Sequence, residues 1–269
     1  MKLKTLVAAM AIILGAPAFA AIAPGSTGNG ELFLVVQDSA AKVSFAFDTG
    51  IRMDAFIANS LATAPVSWTF DLSGNSIWAD FKTNYSEQTS AWALLALDAT
   101  GNITSKDGQR LLTTLKNNQT ITNITTTTNQ KLTAGLSSAQ AGTFFSSVNS
   151  TGTHGGQAFP DINGSSINAD PSGAYFGKQP GLTPNLSGNA SFISTNLYGE
   201  SSSFFYVTPG GGTTTSKSFA SQFFRPGGNP ATVSFGNDTL AIAVPEPGTY
   251  ALIVAGLAAV GFMARRRRA

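Results

Sequence analysis

The chain has 269 residues, of which only 11% are charged, and it contains no cysteine. Its formal net charge of +2 comes from the two ends, because residues 21–243 hold 10 basic and 13 acidic side chains. This balance argues against a nucleic-acid-binding protein. The lack of cysteine excludes disulfides and cysteine zinc sites, so a secreted domain of this sequence must be stabilised by its buried core.

Residues 1–20 predict a secretory signal peptide. Two early lysines precede an apolar run from Leu6 to Leu14, and Ala18 and Ala20 occupy the small-residue positions of a cleavage site. The apolar run is too short to be a retained membrane helix. We therefore expect signal peptidase to cut after Ala20 and to leave an exported domain, residues 21–243, behind a mobile lead-in over residues 21–30.

The first half of this domain predicts strands and short helices. Apolar and polar residues alternate in several segments, which is typical of half-buried strands. A short helix or loop is predicted over Arg52–Ala62 and a helical turn over Ile77–Phe81. The predicted strands are Glu31–Gln37 and Lys42–Asp48, which form a hairpin, followed by Val66–Leu72, Ala91–Ala99 and Arg110–Leu115.

The second half is less regular. Asn117–Asn129 favours strand or loop, although it could form a helix if packed, and Ser137–Val148 predicts a capped helix. Thr151–Leu186 is rich in glycine and proline and predicts a long functional or disordered loop. A strand over Ser203–Thr208 and a last hairpin follow, with the hairpin strands at Ala231–Phe235 and Thr239–Val244.

Together these elements predict one mainly β domain, with a β-sandwich or jelly-roll-like fold and a few short helices. Trp68, Trp78 and Trp92 could stack on sugars, but core packing is the preferred interpretation. A sugar-binding surface would need two of these tryptophans exposed in one plane.

The sequence gives little support for an enzyme active site. His154, the single histidine, is compatible with a Ser-His-Asp hydrolase, but no Gly-x-Ser-x-Gly motif is present and we interpret it as an exposed loop histidine. Asp161, Asn163 and Asp170 are weak calcium candidates, because their spacing departs from the EF-hand loop. We predict no catalytic residues, no metal and no cofactor.

The last 26 residues have three parts. Pro245, Glu246 and Pro247 form a stiff, extended segment. An uncharged and mostly apolar run follows over Thr249–Ala264, and its 16 residues would span about 24 Å as a helix, against a hydrocarbon core of about 30 Å. Arg265, Arg266, Arg267 and Arg268 then hold the end on the cytoplasmic side as a stop-transfer block. An ordinary membrane anchor remains the alternative to a transient sorting helix.

This order of parts resembles the tail of the PEP-CTERM proteins of Gram-negative bacteria, over about the last tenth of the chain. The resemblance implies sorting by exosortase, a membrane-embedded cysteine peptidase or transpeptidase, after transient passage through the inner membrane. We expect a non-enzymatic protein of the cell surface or of an extracellular, exopolysaccharide-containing biofilm matrix, with exopolysaccharide as a candidate partner. The alternative is a secreted carbohydrate-binding module or a carbohydrate-active or hydrolytic enzyme.

Overall fold

The computed structural model describes residues 21–60, 67–106, 108–136, 144–154, 163–178, 192–223 and 230–243. The signal peptide with Ala18 and Ala20 lies outside these ranges, as does the tail from residue 244 onward. In the described ranges no helix is long and apolar enough to cross a membrane, and the predicted C-terminal helix is not among them.

Eleven strands of the described residues form one antiparallel sheet. The order along the sheet is β3-β11-β10-β8-β5-β4-β1-β2-β6, with β7 beside β4 and β9 beside β8. The strands are β1 (Glu31–Asp38), β2 (Val43–Arg52), β3 (Trp68–Asp71), β4 (Ala91–Asp98), β5 (Arg110–Thr114), β6 (Ser165–Ala169), β7 (Asn196–Leu197), β8 (Ser201–Thr208), β9 (Phe219–Gln222), β10 (Thr232–Gly236) and β11 (Thr239–Ala243).

The sheet curls so that its two ends approach each other. Phe47 of β2 packs edge-on against Phe70 of β3, with ring centroids 5.7 Å apart, although the two strands lie near opposite ends of the strand order. β8 makes the curl possible because its first residues pair with β10 and its later residues pair with β5 and β9. The prediction of a mainly β fold with a few short helices is confirmed. The two walls of strands that face each other belong to one curled sheet.

Two apolar cores lie on the two faces of this sheet. The inner core is enclosed by the curl and is built from alternate residues of the strands, such as Leu34, Trp92 and Phe235. The outer core contains the intervening residues, such as Phe33 and Leu95, and helices and loops cover it. Both faces of the central strands are thus buried, which explains why β1 and β4 are apolar almost throughout.

In the described part of the chain, short helices pack on the sheet: α1 (Met53–Ser60), α2 (Ser76–Asn84), α3 (Ile121–Thr125) and α4 (Asn129–Leu136). Residues 144–148 are also helical. Amphipathic spacing places Phe56 of α1 and Trp78 and Phe81 of α2 in the inner core. Trp78 stacks on Phe81 with centroids 5.4 Å apart, so α2 closes one end of the curl with aromatic rings.

The structure differs from the preferred interpretation of the sequence in local detail. Asn117–Asn129 contains the helix α3, the alternative that the sequence left open, and Thr120 and Asn123 form a capping box at its start. The predicted long loop Thr151–Leu186 contains β6, which pairs with β2 and extends the sheet by one strand. The short strands β7 and β9 were not predicted, since two to four residues give too little alternation to detect.

The lead-in segment is also more ordered than we expected. Ile22 is fully buried in the outer core. Asn149 clamps the backbone of Ile22: its Oδ1 accepts a hydrogen bond from the Ile22 N–H and its Nδ2 donates to the Ile22 carbonyl, both at 2.9 Å. Glu31 accepts a further bond from the Ala23 N–H at 2.9 Å. The lead-in therefore belongs to the folded domain.

Candidate functional site

The last strand of the domain carries the predicted sorting segment. β11 ends at Ala243, and Pro245 follows after one further residue. Ala243 pairs with Thr232 of β10, and on the other side Ile242 pairs with Trp68 of β3. The strand that leads to the tail therefore lies in the interior of the sheet and not at its edge.

β11 is also held by the core. Leu240 is fully buried and Ile242 is 1% exposed, and both belong to the inner core with Val233 and Phe235 of β10. Burying an aliphatic side chain of this size contributes about 1.5–3 kcal/mol. Hydrogen bonding and burial thus both fix the strand in front of the tail.

The turn between β10 and β11 is tied to α2 by Asp238. Its carboxylate accepts hydrogen bonds from Trp78 Nε1 at 2.7 Å and from Lys82 Nζ at 2.7 and 2.8 Å, and its N–H donates to the Tyr198 hydroxyl at 3.0 Å. Burial alone would raise the pKa of Asp238, but the hydrogen bonds from Lys82 and Trp78 outweigh it and the pKa lies below its ordinary value. The carboxylate is therefore charged at neutral pH and anchors the turn.

A cavity of about 630 Å³ opens between α1 and β9. Its size falls in the usual range for ligand pockets, and its walls combine apolar and aromatic surface with a few polar groups. The lining residues are Asp54, Ile57, Ala58, Arg110, Tyr206, Ser221, Gln222 and Phe223. Neither this cavity nor a smaller one of about 290 Å³ beside β7 has His154 among its described lining residues.

Arg110 organises the polar wall of the larger cavity. Its Nη1 donates to Asp54 at 2.6 Å, and its Nη2 and Nε donate to Asp98 Oδ2 at 2.6 and 2.9 Å. Burial would raise the pKa of Asp98, but hydrogen bonds from Thr100 and Arg110 outweigh it and lower the pKa. The wall therefore carries a guanidinium that is held between Asp54, which also lines the cavity, and the buried Asp98 behind it.

This cavity lies at the same end of the sheet as the exit of the tail. Phe56 connects the two, because its ring is 5.3 Å from Trp68, which pairs with β11, and 5.2 Å from Phe223, which lines the cavity. The distances are between ring centroids. A ligand in the cavity would therefore lie near the point where the tail leaves the domain.

Glu31 and Asp48 form a buried carboxyl pair at a β-bulge between β1 and β2. Burial raises the pKa of Asp48 to about 8, and the neighbouring charge of Glu31 adds to this effect. Burial likewise raises the pKa of Glu31. Asp48 Oδ1 accepts from the Gly50 N–H at 2.8 Å. Protonated Asp48 is the form that fits this site at neutral pH.

The comparisons with known proteins bear on the tail alone. Residues 243–268 match the family model described as the PEP-CTERM protein-sorting motif. The chain carries a PEP-CTERM sorting motif. No curated protein and no solved structure matches the chain. The PEP-CTERM motif implies processing by exosortase, export, and membrane-associated transit toward the cell surface.

The match confirms the family that the tail resembled in the sequence. It begins at Ala243, the last residue of β11, so the PEP-CTERM motif and the folded domain adjoin without a spacer. Pro245, Glu246, Pro247 and the arginines Arg265, Arg266, Arg267 and Arg268 lie outside the described residues. Their individual roles stay predictions.

His154 does not lie where we expected it. It ends a short 3-10 helix, Gly152–His154, and is only 2% exposed, so the prediction of an exposed loop histidine is wrong. Gly152 explains the close packing: it has φ +58°, and a Cβ there would clash with the Ser165 carbonyl oxygen. The turn is thus packed directly against β6.

Two of the three calcium candidates, Asn163 and Asp170, lie at opposite ends of β6. Asp170 forms an ion pair of 3.9 Å with Lys42, next to the point where β6 joins β2. Asn163 lies near Gly50, and Asp161 is outside the described residues. No cluster of three or more metal-binding side chains occurs in the described part of the chain.

The tryptophans belong to the core or its margin. Trp78 and Trp92 are fully buried, and Trp68 is half-buried against Phe56. The surface of two coplanar exposed tryptophans that a sugar-binding module would need is not formed by these residues. Arg110, Asp238 and the pair Glu31–Asp48 were not predicted, because each depends on partners far away in the sequence.

Proposed function

We propose that this protein is an exported cell-surface or extracellular-matrix protein whose β domain has a non-enzymatic, structural role. The observation that carries the proposal is the PEP-CTERM match at residues 243–268, directly behind an interior strand of a folded domain. A cysteine-free, core-stabilised domain with few charges suits a passive component of a surface layer or of an exopolysaccharide-containing biofilm matrix.

The physical course of sorting follows from the tail. Thr249–Ala264 enters the inner membrane, and Arg265–Arg268 stay on the cytoplasmic side because each arginine costs at least about 2.5 kcal/mol to place in the bilayer centre. Glu246 is then exposed at the outer face, in a backbone kept extended by the flanking prolines. Exosortase cuts in this region and releases the domain from its membrane anchor.

Intact mass measurement of the surface-released protein tests the proposal. In a strain with exosortase, the released form should lack residues 248–269, and in a strain without it the full tail should stay in the membrane fraction. Changing Pro245, Glu246 and Pro247 to alanine should also retain the protein. The matched control changes three exposed threonines of a turn, Thr213, Thr214 and Thr215, to alanine and should be sorted normally. If the released wild-type protein still carries its four terminal arginines, the proposal is wrong and the tail is an ordinary membrane anchor.

The cavity beside α1 supports a second candidate function, binding of a neutral saccharide of the matrix. Tyr206 and Phe223 offer aromatic surface for the C–H face of a sugar ring, and Asp54 and Gln222 offer hydrogen-bonding groups for hydroxyls. Titration with matrix oligosaccharides should then give binding that Tyr206→Ala weakens and Leu197→Ala, an exposed residue elsewhere, does not. Equal binding by both variants would exclude the cavity.

A further inference from the structure

The sorting motif follows the folded domain without a linker. Only Val244 separates Ala243, the last residue of β11, from Pro245. One extended residue spans about 3.3–3.6 Å. A peptidase that binds the motif must therefore lie directly against the end of the sheet. Whether the peptidase fits there depends on whether the end of β11 is paired in the sheet or has left it.

β11 is paired on both sides over nearly its whole length. Thr239–Ala243 pair with β10, and residues 239–242 pair with β3. These ladders use the N–H and C=O groups of the strand. A peptidase groove that takes its substrate as an added strand needs the same backbone groups just upstream of the cut. The sheet and the groove thus compete for the residues before Pro245.

The two ends of β11 are held unequally. At the turn, Asp238 is tied to Trp78, Lys82 and Tyr198 by four short hydrogen bonds. At the other end, Ala243 is half-buried, and within the described ranges it pairs with β10, because the ladder to β3 ends at Ile242. Local opening of a structure starts where the fewest contacts hold it. The strand should therefore open from the end that carries the sorting motif.

We infer that exosortase acts on the chain while the tail end of β11 is undocked from β10 and β3, so that sorting competes with the docking of the last strand. This rests on the proposed function. Chains that meet exosortase before β11 docks are cut at once. Fully folded chains are cut more slowly, in proportion to the population in which Ala243 and Ile242 have left the sheet.

A disulfide that locks the hairpin tests this directly. Thr232 and Ala243 lie opposite each other on β10 and β11 and are half-buried, so their Cα atoms fall in the distance range of a disulfide. The full chain with Thr232→Cys and Ala243→Cys is purified in detergent from membranes without exosortase, oxidised with diamide, and mixed with detergent-solubilised exosortase. Processing of the oxidised form should be slower than that of the dithiothreitol-reduced form by about tenfold or more. Each single-cysteine variant is the matched control and should not respond to oxidation.

A second variant keeps the test valid if the cysteine pair disturbs folding. Ten Gly and Ser residues inserted between Ala243 and Val244 should speed processing of the otherwise wild-type chain and should also restore cutting of the locked form. Equal rates for the locked and reduced forms, or no effect of the insertion on the folded chain, would overturn the inference while leaving exosortase sorting intact. If the wild-type chain is not cut by exosortase at all, the proposed function fails and the inference fails with it.

Discussion

At the scale of single residues, the buried carboxyl of Asp48 couples folding to pH. It lies in the outer face of β2, 1% exposed, beside Glu31. The folded chain keeps its proton up to about pH 8, whereas an unfolded aspartate releases it near pH 4. Folding therefore takes up a proton between these values, and the free energy of unfolding falls as the pH rises across this window.

Asp48→Asn should remove most of this dependence. The amide cannot ionise, so the variant should equal or exceed the wild type at pH 8 by an amount on the order of a few kcal/mol, and the difference should shrink toward pH 4. Urea denaturation at several pH values measures it, with Asp80→Asn at an exposed site as the control. A variant that parallels the wild type at every pH would show that Asp48 is charged in the folded chain.

At the scale of elements, Asn75 joins a helix to the edge of the sheet. Its Oδ1 caps α2 by accepting from the Trp78 N–H at 2.8 Å, and its Nδ2 donates to Ser165 Oγ of β6 at 3.1 Å. β6 is the edge strand beyond β2 and belongs to the long glycine- and proline-rich region 151–186. One side chain thus supports both the start of α2 and the attachment of β6.

Asn75→Ala should lower the free energy of unfolding by about 1–2 kcal/mol, since it removes a helix cap and a partly buried hydrogen bond. Asn75→Asp keeps the capping oxygen, which also accepts from Ser165 Oγ at 3.2 Å, so it should retain most of the stability. In hydrogen exchange, the amides of both β6 and α2 should lose protection in the alanine variant and keep most of it in the aspartate variant. Unchanged exchange in β6 would contradict the link.

At the scale of the whole molecule, the domain is packed from Ile22 onward. Ile22 is buried in the outer core, and Ala23 is bonded to Glu31, so the predicted cut after Ala20 would leave one residue, Ala21, in front of Ile22. The lead-in therefore acts as a strap across the sheet and not as a spacer.

Fragment 21–243 should fold without disulfides and give a circular dichroism spectrum with more strand than helix. Fragment 24–243 lacks Ile22 and should be less stable by about 2–5 kcal/mol, the usual loss for a large buried aliphatic side chain. Ile121→Ala in fragment 21–243 is the control, because Ile121 is 38% exposed. Equal stability of fragments 21–243 and 24–243 would show that the lead-in does not stabilise the domain. In a separate measurement, N-terminal sequencing of the exported protein should give Ala21 as the first residue.

The sequence by itself determined the features that depend on neighbouring residues. Alternation located β2 and the hairpin β10–β11, and the order of motif, apolar run and arginines identified the PEP-CTERM tail. Such patterns are local, because the period of a strand and the length of a membrane segment are properties of a few consecutive residues.

Tertiary structure alone decided the features that join distant segments. His154 is buried because Gly152 lets the chain approach β6, and Asp48 has a raised pKa because the fold buries it and β1 also brings Glu31 beside it. The interior position of β11, from which the sorting tail leaves, arises because β3, far earlier in the chain, pairs with it. Burial and pairing between distant segments leave no periodic pattern in the sequence, so only the folded chain reveals them.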